Sequence, residues 1–195
     1  MRDQVTTADL RAAVAGVAEL LGTAIGEDWT AKAGTTDWTC AATVRHLGEV
    51  GVHYAAQLAV RAGTGHVRVM SGPHPEGTNS RLAQHMESGG ALLAAVVESA
   101  PPDARAFHAY GIADPEGWAA MGCAEFLLHG GDLAAGLGVP YEPDGELCGR
   151  VLARLAPQHT AHGLDGWLGL RYASGRAAVP GLPSVGTWRW QAAPA

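Results

Sequence analysis

The sequence predicts an all-α protein: a four-helix bundle with a short extra helix and an irregular Gly/Pro/Trp-rich C-terminal tail. Three observations support this. Four long segments carry apolar residues at helical spacing, each is bounded by caps or helix breakers, and no strand–helix alternation of the βαβ kind occurs. The composition agrees, with 195 residues of which 47% are hydrophobic and 16% charged. Such a chain can bury a sizeable core and is too apolar for disorder. Residues 1–195 are read as a single helical domain.

Thr6 or Thr7 can cap a first helix from about Ala8 to Ile25, with Leu10, Val14, Val17, Leu20 and Leu21 on one stripe. A turn-rich stretch from Trp29 to Trp38 follows. A second helix runs from Thr39 to about Ala62, its stripe formed by Val44, Leu47, Val50, Tyr54 and Leu58. Gly63 and Gly65 end it, and Pro73 and Pro75 prevent regular structure before Thr78. The alternation from His66 to Met70 is compatible with a short strand. A third helix spans Asn79 to Ser99 and stops at Pro101 and Pro102. The fourth has the clearest start, with Asp114 as N-cap, Pro115 at the first helical position and Glu116 in the first turn. It ends near Leu137, with Gly138 placed as a C-cap. A shorter fifth helix covers Gly145 to Leu155, and the tail follows Pro157.

Charge and cysteine content exclude several classes of function. A net charge of −6 with a pI near 5.8 leaves no basic stripe for nucleic acid. No apolar run is long enough to span a bilayer. Cys40, Cys123 and Cys148 are widely spaced and form no CxxC pair, so they read as buried thiols of a reducing compartment. With a polar start and no secretory signal, the expected location is cytoplasmic.

The chemistry concentrates between Cys123 and Asp132 of the fourth helix. Glu125, His129 and Asp132 fall within about 60° of one another on a helix of 3.6 residues per turn. Glu125 and His129, at i and i+4, can grip one ion. Far upstream, His46 on the second helix offers a second imidazole. Two nitrogens and one carboxylate oxygen, with a position left open, make the donor set of a catalytic zinc site. The competing reading is a solvated helix face. Against it, no Lys or Arg occurs from Asp114 to Pro140, and Trp118, Gly122 and Gly136 share that face. His53, two turns from His46, competes as the upstream donor. Asp132 either orients a ligand imidazole or is an ordinary surface carboxylate. Trp118, Tyr54 and Gln57 either line a pocket or pack, and Arg81 is a candidate partner for an anionic substrate.

The spacing from Trp38 to His46, followed by Glu125, His129 and Asp132, resembles the DinB-like superfamily. More narrowly it is similar to the N-terminal metal-binding domain of mycothiol-dependent maleylpyruvate isomerase. Gly175, Arg176, Pro180, Gly181 and the pair Trp188 and Trp190 resemble the tails of actinobacterial members. The resemblance implies that His46, Glu125 and His129 are the three metal ligands. It also implies mycothiol, the actinobacterial counterpart of glutathione, as cosubstrate. The isomerase carries a further C-terminal domain that helps form its active site, and 195 residues are expected to be too few to include one.

The expected function is that of a metal-dependent, thiol-dependent enzyme acting on a small electrophile, as an S-transferase or a cis–trans isomerase. Zinc is the expected ion, although the donor set accepts other divalent first-row metals. Two rival readings belong to other classes. One is a non-catalytic metal-binding or stress-response bundle, paired as a homodimer. The other is a metal-free enzyme of specialised metabolism that uses the bundle cavity.

Overall fold

Residues 3–74 and 77–194 are described by the computed structural model of the chain. Four long helices form its frame: α1 Thr7–Thr23, α2 Cys40–Ala59, α3 Asn79–Ser99 and α4 Pro115–Leu137. Each starts where a side-chain oxygen accepts an otherwise orphaned backbone N–H, from Thr6, Thr39, Thr78 and Asp114 respectively. The cap of α1 is reciprocal, because the Asp9 carboxylate in turn accepts the Thr6 N–H at 2.8 Å. α4 ends on Gly138 in the left-handed region, φ 69°.

Two helices are shorter than the sequence suggests. α1 stops at Thr23 rather than Ile25, and α2 stops at Ala59 rather than Ala62, with Arg61 at φ 49° turning the chain out of the helix. The His66–Met70 alternation forms no strand. A hairpin of β1 Ala106–His108 and β2 Gly111–Ala113 lies instead between α3 and α4. The all-α class stands, since each of these strands is three residues long.

α4 is the central helix, packed by α1, α2, α3 and α5 (Gly145–Leu155). Every residue from Gly117 to Ala124 is buried. This disposes of the solvated-face reading: the side chains of Glu125, His129 and Asp132 are 12%, 10% and 6% exposed. No described helix is long and apolar enough to cross a membrane.

The tail is less irregular than expected. A 3-10 helix, Pro157–His162, leads to α6, Gly166–Ala173, which is capped by Asp165 and packs on α5. Residues beyond α6 return over the bundle and are tied there by Arg154, 2% exposed, on α5. Its guanidinium donates to the Gln191 and Ala192 carbonyls at 2.8 and 2.9 Å, and to the α4 cap Asp114 at 3.0 Å. One buried cation thus fixes the chain end against the start of the central helix.

α2 and α3 meet backbone to backbone. A Cβ at Gly51 would lie 2.5 Å from the Gly89 carbonyl carbon, and one at Gly89 would lie 2.3 Å from the Gly48 oxygen. Backbone cannot yield as a flexible side chain can, so Gly89→Ala is expected to destabilise the fold by about 1–3 kcal/mol, the usual penalty of overpacking. Urea unfolding of the variant measures it, and an unchanged midpoint would contradict so close a crossing.

Candidate metal centre

His46 projects from α2 toward Glu125 and His129 on the adjoining face of α4. His46 Nε2 lies 3.3 Å from Glu125 Oε2, and His129 Nε2 lies 3.5 Å from the same oxygen. All three donor atoms fall within 4.8 Å of one another. A tetrahedral ion about 2.0–2.2 Å from each donor separates them by roughly 3.4 Å. The two histidine–glutamate separations match that spacing, and small side-chain rotations would bring all three donors onto one small divalent cation.

Neighbouring groups fix the orientation of these donors. His129 Nδ1 is 3.0 Å from Asp132 Oδ2, and a carboxylate can only accept, so Nδ1 carries the proton and donates it. With Nδ1 so engaged, Nε2 is the ring nitrogen left to face the Glu125 oxygen. Nε2 and Oε2 face each other at 3.5 Å, so one cation between them could take a donor from each. Asp132 is held in turn by Arg176, whose Nε and Nη2 donate to it at 3.1 and 2.9 Å. Burial pushes the Asp132 carboxyl up, while the bonds from His129 and Arg176 outweigh it and leave the pKa below the ordinary value.

Glu125 is supported from α2 as well. The Tyr54 hydroxyl donates to Glu125 Oε1 at 3.1 Å. Burial, then the Glu125 charge and its hydrogen bond, drive the Tyr54 pKa well up, so the phenol stays a donor. Burial likewise raises Glu125, but the His46 hydrogen bond, the neighbouring imidazoles and the Tyr54 bond pull it below its ordinary value. Trp38 lies against both imidazoles at the solvent edge, with ring centroids 4.8 Å from His46 and 6.0 Å from His129.

A cavity of about 240 Å³ opens beside the donors, closed by Leu128, Arg176, Trp188 and Trp190. The tail therefore supplies one wall of the site. The expectations for His46, Glu125, His129, Asp132 and Tyr54 converge on this place; three others do not. Trp118 does not border the cavity: it is fully buried, edge-on to Tyr54 at 5.2 Å and to His108 at 5.8 Å. Gln57 is a structural clamp rather than a substrate contact. Its amide donates to the Gly65 and Phe107 carbonyls and accepts the Val67 N–H, satisfying a fully buried polar group with backbone from the 63–67 loop and β1. Arg81 is exposed on α3, donates to Gln84 Oε1 at 3.1 Å and does not border the cavity. His53, the rival donor, instead pairs with His66, Nε2 to Nδ1, at 3.2 Å.

Sequence reasoning missed four walls of the site: Trp38, Arg176, Trp188 and Trp190. One signal was available for Arg176. A helix with a carboxylate at Asp132 and no cation of its own must find that cation elsewhere in the chain.

A family model, Mycothiol maleylpyruvate isomerase N-terminal domain, matches residues 10–134. The chain belongs to this family. All three donors and Asp132 lie inside the matched family region, whereas Arg176, Trp188 and Trp190 lie outside it. No curated protein and no solved structure matches the chain.

His108 stands behind Tyr54, only 7% exposed, its Nδ1 accepting the Tyr110 N–H at 3.2 Å. Burial, and then the neighbouring His66, lower its pKa from 6.5 to about 4. An unfolded chain binds that proton near 6.5, so folding stability should fall as pH drops from about 6.5 to about 4 and level off below. His108→Asn keeps the acceptor and cannot titrate. Its stability, measured by urea titration, should fall less over that window; equal losses in both proteins would contradict the assignment.

Proposed function

We propose that this chain is a metal-dependent enzyme that uses a low-molecular-weight thiol, mycothiol, to attack a small electrophile. The observation that carries this reading is the convergence of three donors on one point, with His129 Nε2 facing a Glu125 oxygen while Nδ1 is engaged by Asp132. His46, Glu125 and His129 would hold the ion, zinc or another divalent first-row metal. When bound, such an ion lowers the pKa of a thiol until it is deprotonated at neutral pH.

The chain's own residues do the rest. Asp132 keeps His129 in the tautomer that can ligate, and Arg176 balances the charge of Asp132. Tyr54 occupies one Glu125 oxygen and leaves the other to the centre. Trp188, Trp190 and Leu128 give the cavity an apolar wall beside the donors. The nucleophile has to be supplied as a cosubstrate, because the chain's three thiols are buried. Burial raises the pKa of each, in Cys148 to about 12.

Addition forms an S–C bond and moves the electron pair of a conjugated C=C onto the electrophile's activating group. Rotation about the resulting single bond, then cleavage of S–C, returns the thiol and gives the cis–trans isomer. Uptake of a proton at carbon retains the adduct and gives S-transfer. Arg176, at the cavity wall, favours electrophiles that carry a carboxylate.

Elemental analysis tests the metal assignment. The purified protein should carry stoichiometric metal, and His46→Ala and Glu125→Ala should each lose it. Asp132→Asn keeps all donors and should weaken metal affinity about 10–100-fold. Full metal retention in His46→Ala and Glu125→Ala would sink the assignment. For the chemistry, the metal-loaded protein is assayed with mycothiol and unsaturated keto acids, expecting turnover that needs both metal and thiol. Turnover by the metal-free protein, or none with bound metal, would remove the thiol mechanism.

A further inference from the structure

On the far side of Asp132 a second cavity, of about 290 Å³, lies between α4 and α6. Arg171, Arg176, Tyr141, Trp167 and Thr35 bound it, and α4 contributes Gly131 and two alanines that leave the space open. Its polar groups are unusual in what they lack. The Arg171 guanidinium makes no hydrogen bond or ion pair among the described residues, and rests on the Trp167 ring at 5.7 Å. Arg176 directs Nε and Nη2 to Asp132, while its Nη1 donates to no described residue. Tyr141 sits edge-on to Trp167 at 6.1 Å, and its hydroxyl also has no described partner. Burial raises the Tyr141 pKa, so the phenol remains a hydrogen-bond donor.

Two guanidiniums and a single carboxylate therefore share this cavity, leaving it net positive in a chain whose net charge is −6. Donors that no protein group engages are free to hydrogen-bond a ligand in place of solvent. Guanidinium forks match the geometry of carboxylate and phosphate oxygens. The Arg171–Trp167 contact holds one fork in place before anything binds.

We propose that this cavity is a binding site for a small oxyanion, a carboxylate or phosphate group on a short body. Its oxygens take hydrogen bonds from Arg171, Arg176 Nη1 and Tyr141, and its body lies along Trp167. The volume is at the low end of ligand pockets, which limits the body to a few heavy atoms. The site is separate from the three metal donors, so it stands whether or not they hold an ion.

Isothermal titration of the full chain tests this, with inorganic phosphate in one arm, succinate in a second and uncharged succinamide in a third. Saturable binding of phosphate or succinate with a dissociation constant of about 1 mM or tighter is expected, with none for succinamide. Whichever anion binds more tightly identifies the head group. Arg171→Gln should weaken that binding by about tenfold or more, and Tyr141→Phe by a smaller factor. Tyr141→Phe should keep the parent thermal midpoint, because its hydroxyl bonds to no described residue. Absence of saturable binding in both anion arms overturns the proposal. So does undiminished affinity in Arg171→Gln, or, should that variant not fold, in Tyr141→Phe.

Discussion

A carboxylate enclosed between two helices must be met by positive charge or by hydrogen-bond donors, and the molecule is organised around that condition at Glu125. α4 is apolar enough to be the central helix, which draws Glu125 out of water with it. Two imidazoles and the Tyr54 hydroxyl meet it there. The imidazoles are not fully committed to that task. His129 hydrogen-bonds through Nδ1 to Asp132, which leaves Nε2 to face the Glu125 carboxylate.

The same logic extends outward in layers. Asp132 is buried as well, its side chain less exposed than that of Glu125, and is met by Arg176, which comes from beyond α6. Arg154 ties the last described residues to the cap of α4, and so holds Trp188 and Trp190 near the donors. Two arginines thus make a Gly/Pro-rich tail part of the site. The matched family region ends at residue 134, so this closing wall is a feature of the chain's later residues. Arg176 borders both cavities, and it links the candidate metal centre to the cationic pocket next door.

Much of the helical frame was legible because its signals are local. Thr6, Thr39 and Asp114 cap the helices they precede, and Gly138 ends α4 where its sequence indicates. Glu125 and His129 could be paired by helix geometry alone. His46 needed the family resemblance, since nothing local separates it from His53; only the fold turns His53 toward His66. Gln57 was misread for a similar reason. Its partners, Gly65, Val67 and Phe107, come from a loop and a strand with no periodic signal. The hairpin strands are too short to show alternation, and α6 carries Gly166 and Gly169, which weaken the helical pattern. Arg176 meets Asp132 across 44 residues, a pairing that charge bookkeeping on α4 suggests but cannot locate.

The most direct test of the shared centre is X-ray absorption at the zinc K-edge of the zinc-loaded protein. The expected spectrum shows nitrogen and oxygen neighbours at about 2.0–2.2 Å, with outer-shell scattering from two imidazoles and no sulfur. A sulfur shell at about 2.3 Å would place the ion on cysteine instead, and would contradict a centre built from His46, Glu125 and His129.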